Sequence, residues 1–160
     1  MAVDMFFVVD GIKGESKDKA YKESIDVLAW SWGLSNSGSF HTGGGGGSGK
    51  VNVNDISFTK YVDKSSADLQ LFCCNGKHVP KAKLIVRKAG ENPLDYLTIE
   101  LTDVFVTGVS SGGSRGEERL TETIQLNFSK VHFKYMVQDE KGAGKDGGQY
   151  TWDVAGNTKG

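Results

Sequence analysis

Apolar and polar residues alternate with a period of two along most of the chain, and this pattern predicts a protein built mainly of β-strands. Such alternation places successive side chains on opposite faces of a strand. We expect strands at 5–9, 25–35, 51–62, 83–88, 97–106, 124–135 and 149–154.

The segment 25–35 has one bulky face and one small face. The bulky face carries Leu28, Trp30, Trp32 and Leu34, and the small face carries Val27, Ala29, Ser31 and Gly33. We expect the bulky face in the core, because such a row exposed to water favours aggregation. A face trimmed to small residues suggests close approach of another backbone or the wall of a smooth passage. An exposed Gly-rich edge explains it equally well.

Three of the predicted strands change their inward-facing positions partway along. The changes fall between Val53 and Ile56, after Leu101, and after Phe128, as though one residue had been inserted at each point. Insertions of this kind are typical of β-bulges. Strands that continue but exchange faces are needed at the corners of a small coiled barrel. The pattern therefore predicts a closed or nearly closed antiparallel barrel.

One segment, 65–76, departs from the alternation and is predicted to be a short α-helix. Ser65 followed by Asp68 resembles a capping box, and Gly76 is a typical helix terminator. The apolar residues share one stripe, formed by Leu69, Phe72 and Cys73. Such a helix can cover one side or one end of the barrel.

Length and composition indicate a single domain over residues 1–160. A chain of 160 residues with 38% hydrophobic residues can bury a core without disulfides. The 19 basic and 20 acidic residues give a net charge of -1 without long blocks of one sign, so nucleic acid is not an expected partner. No stretch approaches the roughly 20 apolar residues of a membrane-spanning helix, so membrane insertion is not expected either.

The N-terminal residues and the cysteines bear on the cellular compartment. Segment 1–10 contains Asp4 but no basic residue, unlike a Sec signal peptide. Cys73 and Cys74 are adjacent, which makes a disulfide between them geometrically awkward. These features favour synthesis in a reducing cytoplasm, with any export through a dedicated machine.

The Gly-rich segment 37–49 contains a misleading match to a phosphate-binding loop. Residues 44–50 read GGGGSGK, but Val51 replaces the Ser or Thr of the pattern, and a strand follows where a helix is required. We interpret 37–49 as a long arm joining two strands, and loops of this length are often functional.

The sequence predicts no catalytic residue, cofactor or metal site. His41, His78 and His132 lack the spacing of metal ligands. Cys73 is expected to be a small apolar side chain on the helix. No nucleophile elbow is present. We therefore do not expect an enzyme.

Several stretches in matching order along nearly the whole chain carry a resemblance to a known family. They are MAVDMF (1–6), KGES (13–16), IDVLAWSWG (25–33), GKVNV (49–53), SFTKYVDKS (57–65), RKAG (87–90), RLTE (119–122), LNFSKV (126–131) and KDGG (145–148). Together they resemble the Hcp (hemolysin-coregulated protein) family, whose members build the tube of bacterial type VI secretion systems. This combination is far more specific than any single motif.

The resemblance implies a β-barrel of two sheets with one flanking helix, assembled as a six-membered ring that stacks into a hollow tube. It implies synthesis in the bacterial cytoplasm and secretion, without a Sec signal peptide, by a contractile sheath. The implied partners are further copies of the chain, effector proteins carried inside the ring, and the spike and sheath components of the machine.

The resemblance also suggests roles for two sets of residues. The expected lumen and effector contacts are Ala29, Ser31 and Gly33. The expected inter-subunit or ring-stacking contacts lie in the arm, at Phe40, His41, Gly43, Gly45, Gly47 and Ser48. A closed ring requires two different surfaces on each subunit, and the sequence does not identify them. Cys73, Cys74 and residues 6–10 match no signature of the family.

Two other functions stay open at the level of sequence. A monomeric β-barrel could hold a small apolar ligand, and its interior would then be open where that of a tube subunit is filled. An enzyme with a site assembled only in space would leave no local motif.

Overall fold

The computed structural model describes residues 3–38 and 49–160. Its strands are β1 (Val3–Val9), β2 (Ile25–Asp26), β3 (Ala29–Ser31), β4 (Leu34–Ser35), β5 (Asn52–Val53), β6 (Ile56–Tyr61), β7 (His78–Lys88), β8 (Leu94–Gly112), β9 (Thr121–Asn127), β10 (Lys130–Gln138), β11 (Gly144–Asp153) and β12 (Thr158–Lys159). The helix of this described part is α1 (Ser66–Asn75). The predicted fold class, mainly β with one short helix, is confirmed.

The strands form one large branched sheet and one small sheet. The large sheet contains 10 strands, and β4 pairs with β5 to form the other. One path through the large sheet runs β12, β11, β10, β8, β7, β1, β2, and a second path leaves β8 through β9 and β6 to β3. All of these pairings are antiparallel. β8 therefore belongs to both branches.

The branch point is a bend in β8 at Asp103. Up to Thr102 this strand pairs with β10, and from Phe105 onward it pairs with β9. Asp103 has a positive φ of 53°, and Ser129, between β9 and β10, donates its hydroxyl to Asp103 Oδ2 at 2.9 Å. The predicted changes of face after Leu101 and after Phe128 thus coincide at one corner. The third predicted change falls at the break between β5 and β6.

The predicted closure of the barrel is wrong, because the ladder is interrupted between β2 and β3. Val27 N donates to Met5 O of β1 at 3.0 Å, whereas the next amide, Leu28 N, donates to Thr59 O of β6 at 2.8 Å. Adjacent residues thus bond to strands on opposite sides. The chain bends from one branch to the other at this point, and the sheet does not close as a continuous barrel.

The same bend overturns part of the predicted core. Leu28 and Leu34 are 41% and 48% exposed, while Val27, expected on the opposite face, is buried. Trp30 and Trp32 do pack against the core, but only partly. The bend shifts the alternation by one residue. Odd-numbered residues such as Val27 therefore face inward before it, and even-numbered residues such as Trp30 face inward after it.

The core lies between the two branches of the large sheet. Phe7 of β1 stacks on Phe58 of β6 with ring centroids 4.4 Å apart, which joins the branches directly. Helix α1 adds Leu69, which is fully buried, and its partly buried Phe72 and Cys73, so the predicted apolar stripe is confirmed. Within residues 3–38 and 49–160, no helix has the length and apolar character needed to cross a membrane.

Both ends of α1 lie where the sequence predicts, but only the C-terminal cap forms as expected. Gly76 adopts the left-handed conformation with φ 70°, and its N–H donates to Phe72 O. At the other end Ser65 makes no side-chain capping bond, so the predicted capping box does not form. The Ser65 hydroxyl donates instead to Asp63 Oδ1 at 2.5 Å.

Candidate functional site

The outward face of β3, β6, β9 and the last part of β8 carries small or polar uncharged side chains. Directly opposed residues of antiparallel strands share a face. One row across these strands consists of Ala29, Thr59, Thr123 and Ser110, and the adjacent row consists of Ser31, Ser57, Gln125 and Gly108. The residues between them in sequence, such as Phe58 and Ile124, are buried. We call these eight positions the neutral face.

The neutral face offers hydrogen-bonding groups but no charge. Ala29, Ser31, Ser110 and Gln125 are exposed, and Thr59 and Thr123 are half-buried. The hydroxyls of Thr59 and Thr123 lie 3.3 Å apart across the strands. Because most of these side chains are small, they project little from the sheet, and another molecule can approach its backbone closely.

Charged groups begin beyond the two ends of the neutral face. At one end the Asp55 carboxylate accepts hydrogen bonds from Thr107 Oγ1 at 2.6 Å and Asn127 Nδ2 at 2.8 Å. At the other end the guanidinium of Arg119 lies over the ring of Tyr61, 3.8 Å from its centroid. The neutral character is therefore local to the two rows.

The outward face of the other branch has the opposite character. Lys83, Glu100 and His132 are direct neighbours across β7, β8 and β10. Lys81 Nζ lies 3.3 Å from Glu100 Oε1, and His132 Nδ1 lies 2.6 Å from Thr151 Oγ1. The molecule thus presents one neutral strand face and one charged strand face.

Both lateral edges of the sheet that bears the neutral face are open in the described part of the chain. β3 pairs there with β6 and with no other strand. Beyond Phe105, β8 pairs with β9 alone, because its pairing with β7 ends at the contact between His78 and Phe105. Open edges expose unpaired backbone groups that can accept another strand.

A buried ion pair lies directly behind the neutral face. Lys60 of β6 and Glu122 of β9 are fully buried, with Lys60 Nζ 2.5 Å from Glu122 Oε1. This pair was not predicted from the sequence, although a signal was present. Lys60 follows Ile56 and Phe58 at inward spacing, and a charged residue at an inward position requires a buried partner.

A second charge cluster fastens the segment before β2 to the outer side of β1 and β7. The Arg87 guanidinium lies 5.0 Å from the ring centroid of Phe6 and 5.8 Å from that of Tyr21. It also pairs with Asp18 and, at 3.1 Å, with Asp4. The hydrogen bond from Arg87 lowers the pKa of Asp18 from 3.8 to about 2. Burial, with a hydrogen bond to Asp95, raises the pKa of Tyr21.

The predicted site residues fall partly within this arrangement. Ala29 and Ser31 lie on the neutral face, and Gly33 follows two residues after β3 ends, where its carbonyl accepts Asn54 N at 3.2 Å. The predicted arm residues Phe40, His41, Gly43, Gly45, Gly47 and Ser48 all lie outside the described residues. A backbone hydrogen bond from Gly49 N to Ser37 O, 3.2 Å long, joins the two ends of the arm.

The remaining candidates are the other histidine and cysteine residues and a surface groove. His78 packs edge-on against Phe105, Cys73 is half-buried and Cys74 is exposed. Among residues 3–38 and 49–160, no cluster of three or more His, Cys, Asp or Glu could hold a metal ion. An apolar groove of about 180 Å³ lies on the surface, lined by Leu34, Val51, Val131, Tyr150 and Trp152.

Comparisons with known proteins agree with this fold. Residues 6–135 match the family model described as "Type VI secretion system effector, Hcp". The chain is 58% identical over 162 residues to Protein hcp1 of Pseudomonas aeruginosa, covering 99% of both chains. Hcp1 from Salmonella typhimurium has 36% identity and a TM-score of 0.79 over 99% of both chains. A solved type six secretion system protein has 27% identity and a TM-score of 0.93, over 99% of this chain and 100% of that one. The chain therefore belongs to the Hcp family of type VI secretion proteins.

Proposed function

We propose that this protein is a secreted structural subunit of the inner tube of a type VI secretion system, which forms hexameric rings that stack and carry effector proteins in their lumen. Hcp proteins act in type VI secretion as secreted tube proteins, and this chain is one of them. The observation that carries the finer proposal is the sheet with a neutral face and two open edges.

The open edges support assembly into a ring. If β3 of one copy pairs with the free end of β8 in the next copy, each subunit uses two different surfaces. Contacts of this heterologous kind generate closed rings when the rotation between subunits closes. The neutral faces then join into one continuous surface around the ring.

The chemistry of the two outer faces supports their assignment. The neutral face suits a passage, because its small side chains leave room and its hydroxyl and amide groups hydrogen-bond to cargo without charge. We assign Ala29, Ser31 and Gly33 to the lumen and to effector contact. The charged strand face, with Lys83 and Glu100, then points outward toward the sheath.

The remaining partners and the route follow from the same proposal. The subunit acts by geometry and burial, without catalysis and without a cofactor. It is made in the bacterial cytoplasm and leaves the cell through the secretion machine without a Sec signal peptide. The spike and sheath components are its other partners, and the arm at 37–49 contacts neighbouring subunits or rings.

The test of ring assembly is the mass of the purified protein in solution, measured by light scattering behind a sizing column. A mass near that of six chains, with annular particles in negative stain, is the expected result. A stable monomer at working concentration would contradict the proposal. It would favour instead a monomeric protein that binds a small ligand.

A further inference from the structure

The buried pair Lys60 and Glu122 occupies a position that the tube function does not explain. The two residues are direct register partners across β6 and β9. Their chain neighbours Thr59 and Thr123 point to the opposite side and form part of the neutral face. The ion pair is therefore one residue away from the neutral face on each strand.

The pair is hydrogen-bonded to groups from three further segments. Lys60 Nζ also donates to Asp63 Oδ1 at 2.9 Å and to Ser66 Oγ at 3.2 Å. Glu122 Oε1 accepts the Ser66 hydroxyl at 2.6 Å, and Oε2 accepts the Ser111 hydroxyl at 3.4 Å. Strands β6, β8 and β9 and the first turn of α1 thus meet at a single charge cluster.

The apolar pattern of β6 and β9 excludes only some errors in their pairing. A slip of one residue would turn Phe58 and Ile124 outward, and the loss of core burial opposes it. A slip of two residues keeps every side chain on its own face, so the apolar pattern does not oppose it. That slip would place Lys60 beside Ile124, or Glu122 beside Phe58, and leave buried charges without their partner, which is strongly unfavourable.

We propose that Lys60 and Glu122 are positioning residues that fix the register of β6 against β9. Through that register they determine which side chains share each row of the neutral face. The ion pair and the strand pairing lie within one subunit, so this role is independent of the proposed ring. The register can be measured without reference to cargo or oligomeric state.

Cysteine pairs on the outward side of β6 and β9 report the register. Thr59→Cys with Thr123→Cys reports the native pairing, because the native hydroxyls are 3.3 Å apart. Thr59→Cys with Gln125→Cys, or with Thr121→Cys, reports a slip of two residues in either direction. These diagonal partners are about 7–8 Å apart in the native pairing, too far for a disulfide. Each pair is made in the full chain carrying Cys73→Ala and Cys74→Ser, and is refolded under oxidising conditions.

With Lys60 and Glu122 present, only the native disulfide is expected. In the variant Lys60→Met with Glu122→Leu, the disulfide yield of a slipped cysteine pair, divided by the yield of the native pair, should rise about 100-fold. The reason is that the slip no longer separates buried charges. A pair that served stability alone would change the melting temperature without creating slipped disulfides. Formation of the native disulfide alone in the apolar variant overturns the proposal.

A second variant decides the matter if the apolar variant does not fold. Lys60→Glu with Glu122→Lys restores opposite charges in the native pairing, and Asp63→Asn removes the repulsion that the new glutamate would meet. The native disulfide alone is the expected product. Slipped disulfides in this variant, or failure of it to fold, count against the proposal.

Discussion

Arg87 of β7 links two other segments of the chain through its pairs with Asp4 and Asp18. Its guanidinium lies near the rings of Phe6 and Tyr21, which stack on each other, and it pairs with two carboxylates. Within the described part of the chain, its Nε is buried without a hydrogen-bond partner. The partners Asp4 and Asp18 are 83 and 69 residues away in the chain. No local pattern reports a contact over such a separation.

The Asp18 pairing makes stability depend on pH. Because the folded-state pKa of Asp18 is lowered from 3.8 to about 2, its contribution is complete above 3.8 and is lost as the pH falls toward 2. We expect the unfolding free energy of the native protein to fall by up to about 2 kcal/mol more than that of Asp18→Asn across this window. Urea unfolding curves of both proteins at the two ends of the window measure the difference. Parallel losses in the two proteins would contradict the assignment.

Elements defined by a simple local pattern were predicted well, and those shaped by neighbouring strands were not. The apolar stripe of 65–76 and its terminal glycine placed α1 to within a residue of its observed end. The segment 25–35 has an equally regular pattern, yet it divides into β2, β3 and β4. The bend at Val27 and Leu28 arises because the Val27 amide donates to β1 and the next amide, that of Leu28, donates to β6 on the opposite side. The alternation of apolar and polar residues in the segment contains no sign of this.

The C-terminal end of α1 gives a prediction at the same scale. Gly76 has φ 70°, a conformation that disfavours a Cβ, so Gly76→Ala should lower the unfolding free energy by about 1 kcal/mol. An added Cβ would meet Phe105 at only ordinary contact distance, so backbone strain is the expected cause. Gly116→Ala is the control, since Gly116 has open space around it and no positive φ. Equal effects of the two changes, by chemical denaturation, would refute the strain argument.

At the scale of the molecule, the class of fold and the two changes of face that meet at its corner followed from the sequence, whereas the open edges and the buried ion pair did not. Alternation reports which way a side chain points but not which strand lies beside it. The neutral face is assembled from β3, β6, β8 and β9, which are separated along the chain. Of the three residues predicted to line the lumen, Ala29 and Ser31 lie on this face and Gly33 does not, and only the segment 25–35 shows a small face by itself.

The neutral face yields a prediction about cargo. In the proposed ring, Ser31→Gln places a bulky side chain on the lumenal wall, so it should leave the ring intact and lower the amount of effector retained. Co-purification of effector with the ring, together with effector levels in cells, measures this. Thr98→Gln is the matched control, because Thr98 lies on the other branch between Ile85 and Lys134. Unchanged retention in Ser31→Gln would argue against a lumenal position.

The arm yields a prediction about stacking. Deleting several residues of 43–47 should disturb the stacking of rings more than the folding of the subunit, because loop length contributes little to closure entropy. Tube formation followed by electron microscopy, beside the melting temperature of the same variant, separates the two effects. Loss of the folded subunit would show that the arm is needed for folding itself.

The continuity of β8 through the corner at Asp103 has a mechanical consequence. One strand of 19 residues is hydrogen-bonded to β7 and β10 in one branch and to β9 in the other. A pull on either branch is therefore transmitted along a covalent backbone into the other. When a load runs parallel to the strands, many hydrogen bonds of a ladder must break together before the strands slide. A subunit built in this way resists traction as one piece, which is compatible with the proposed role of a tube subunit that a secretion machine moves.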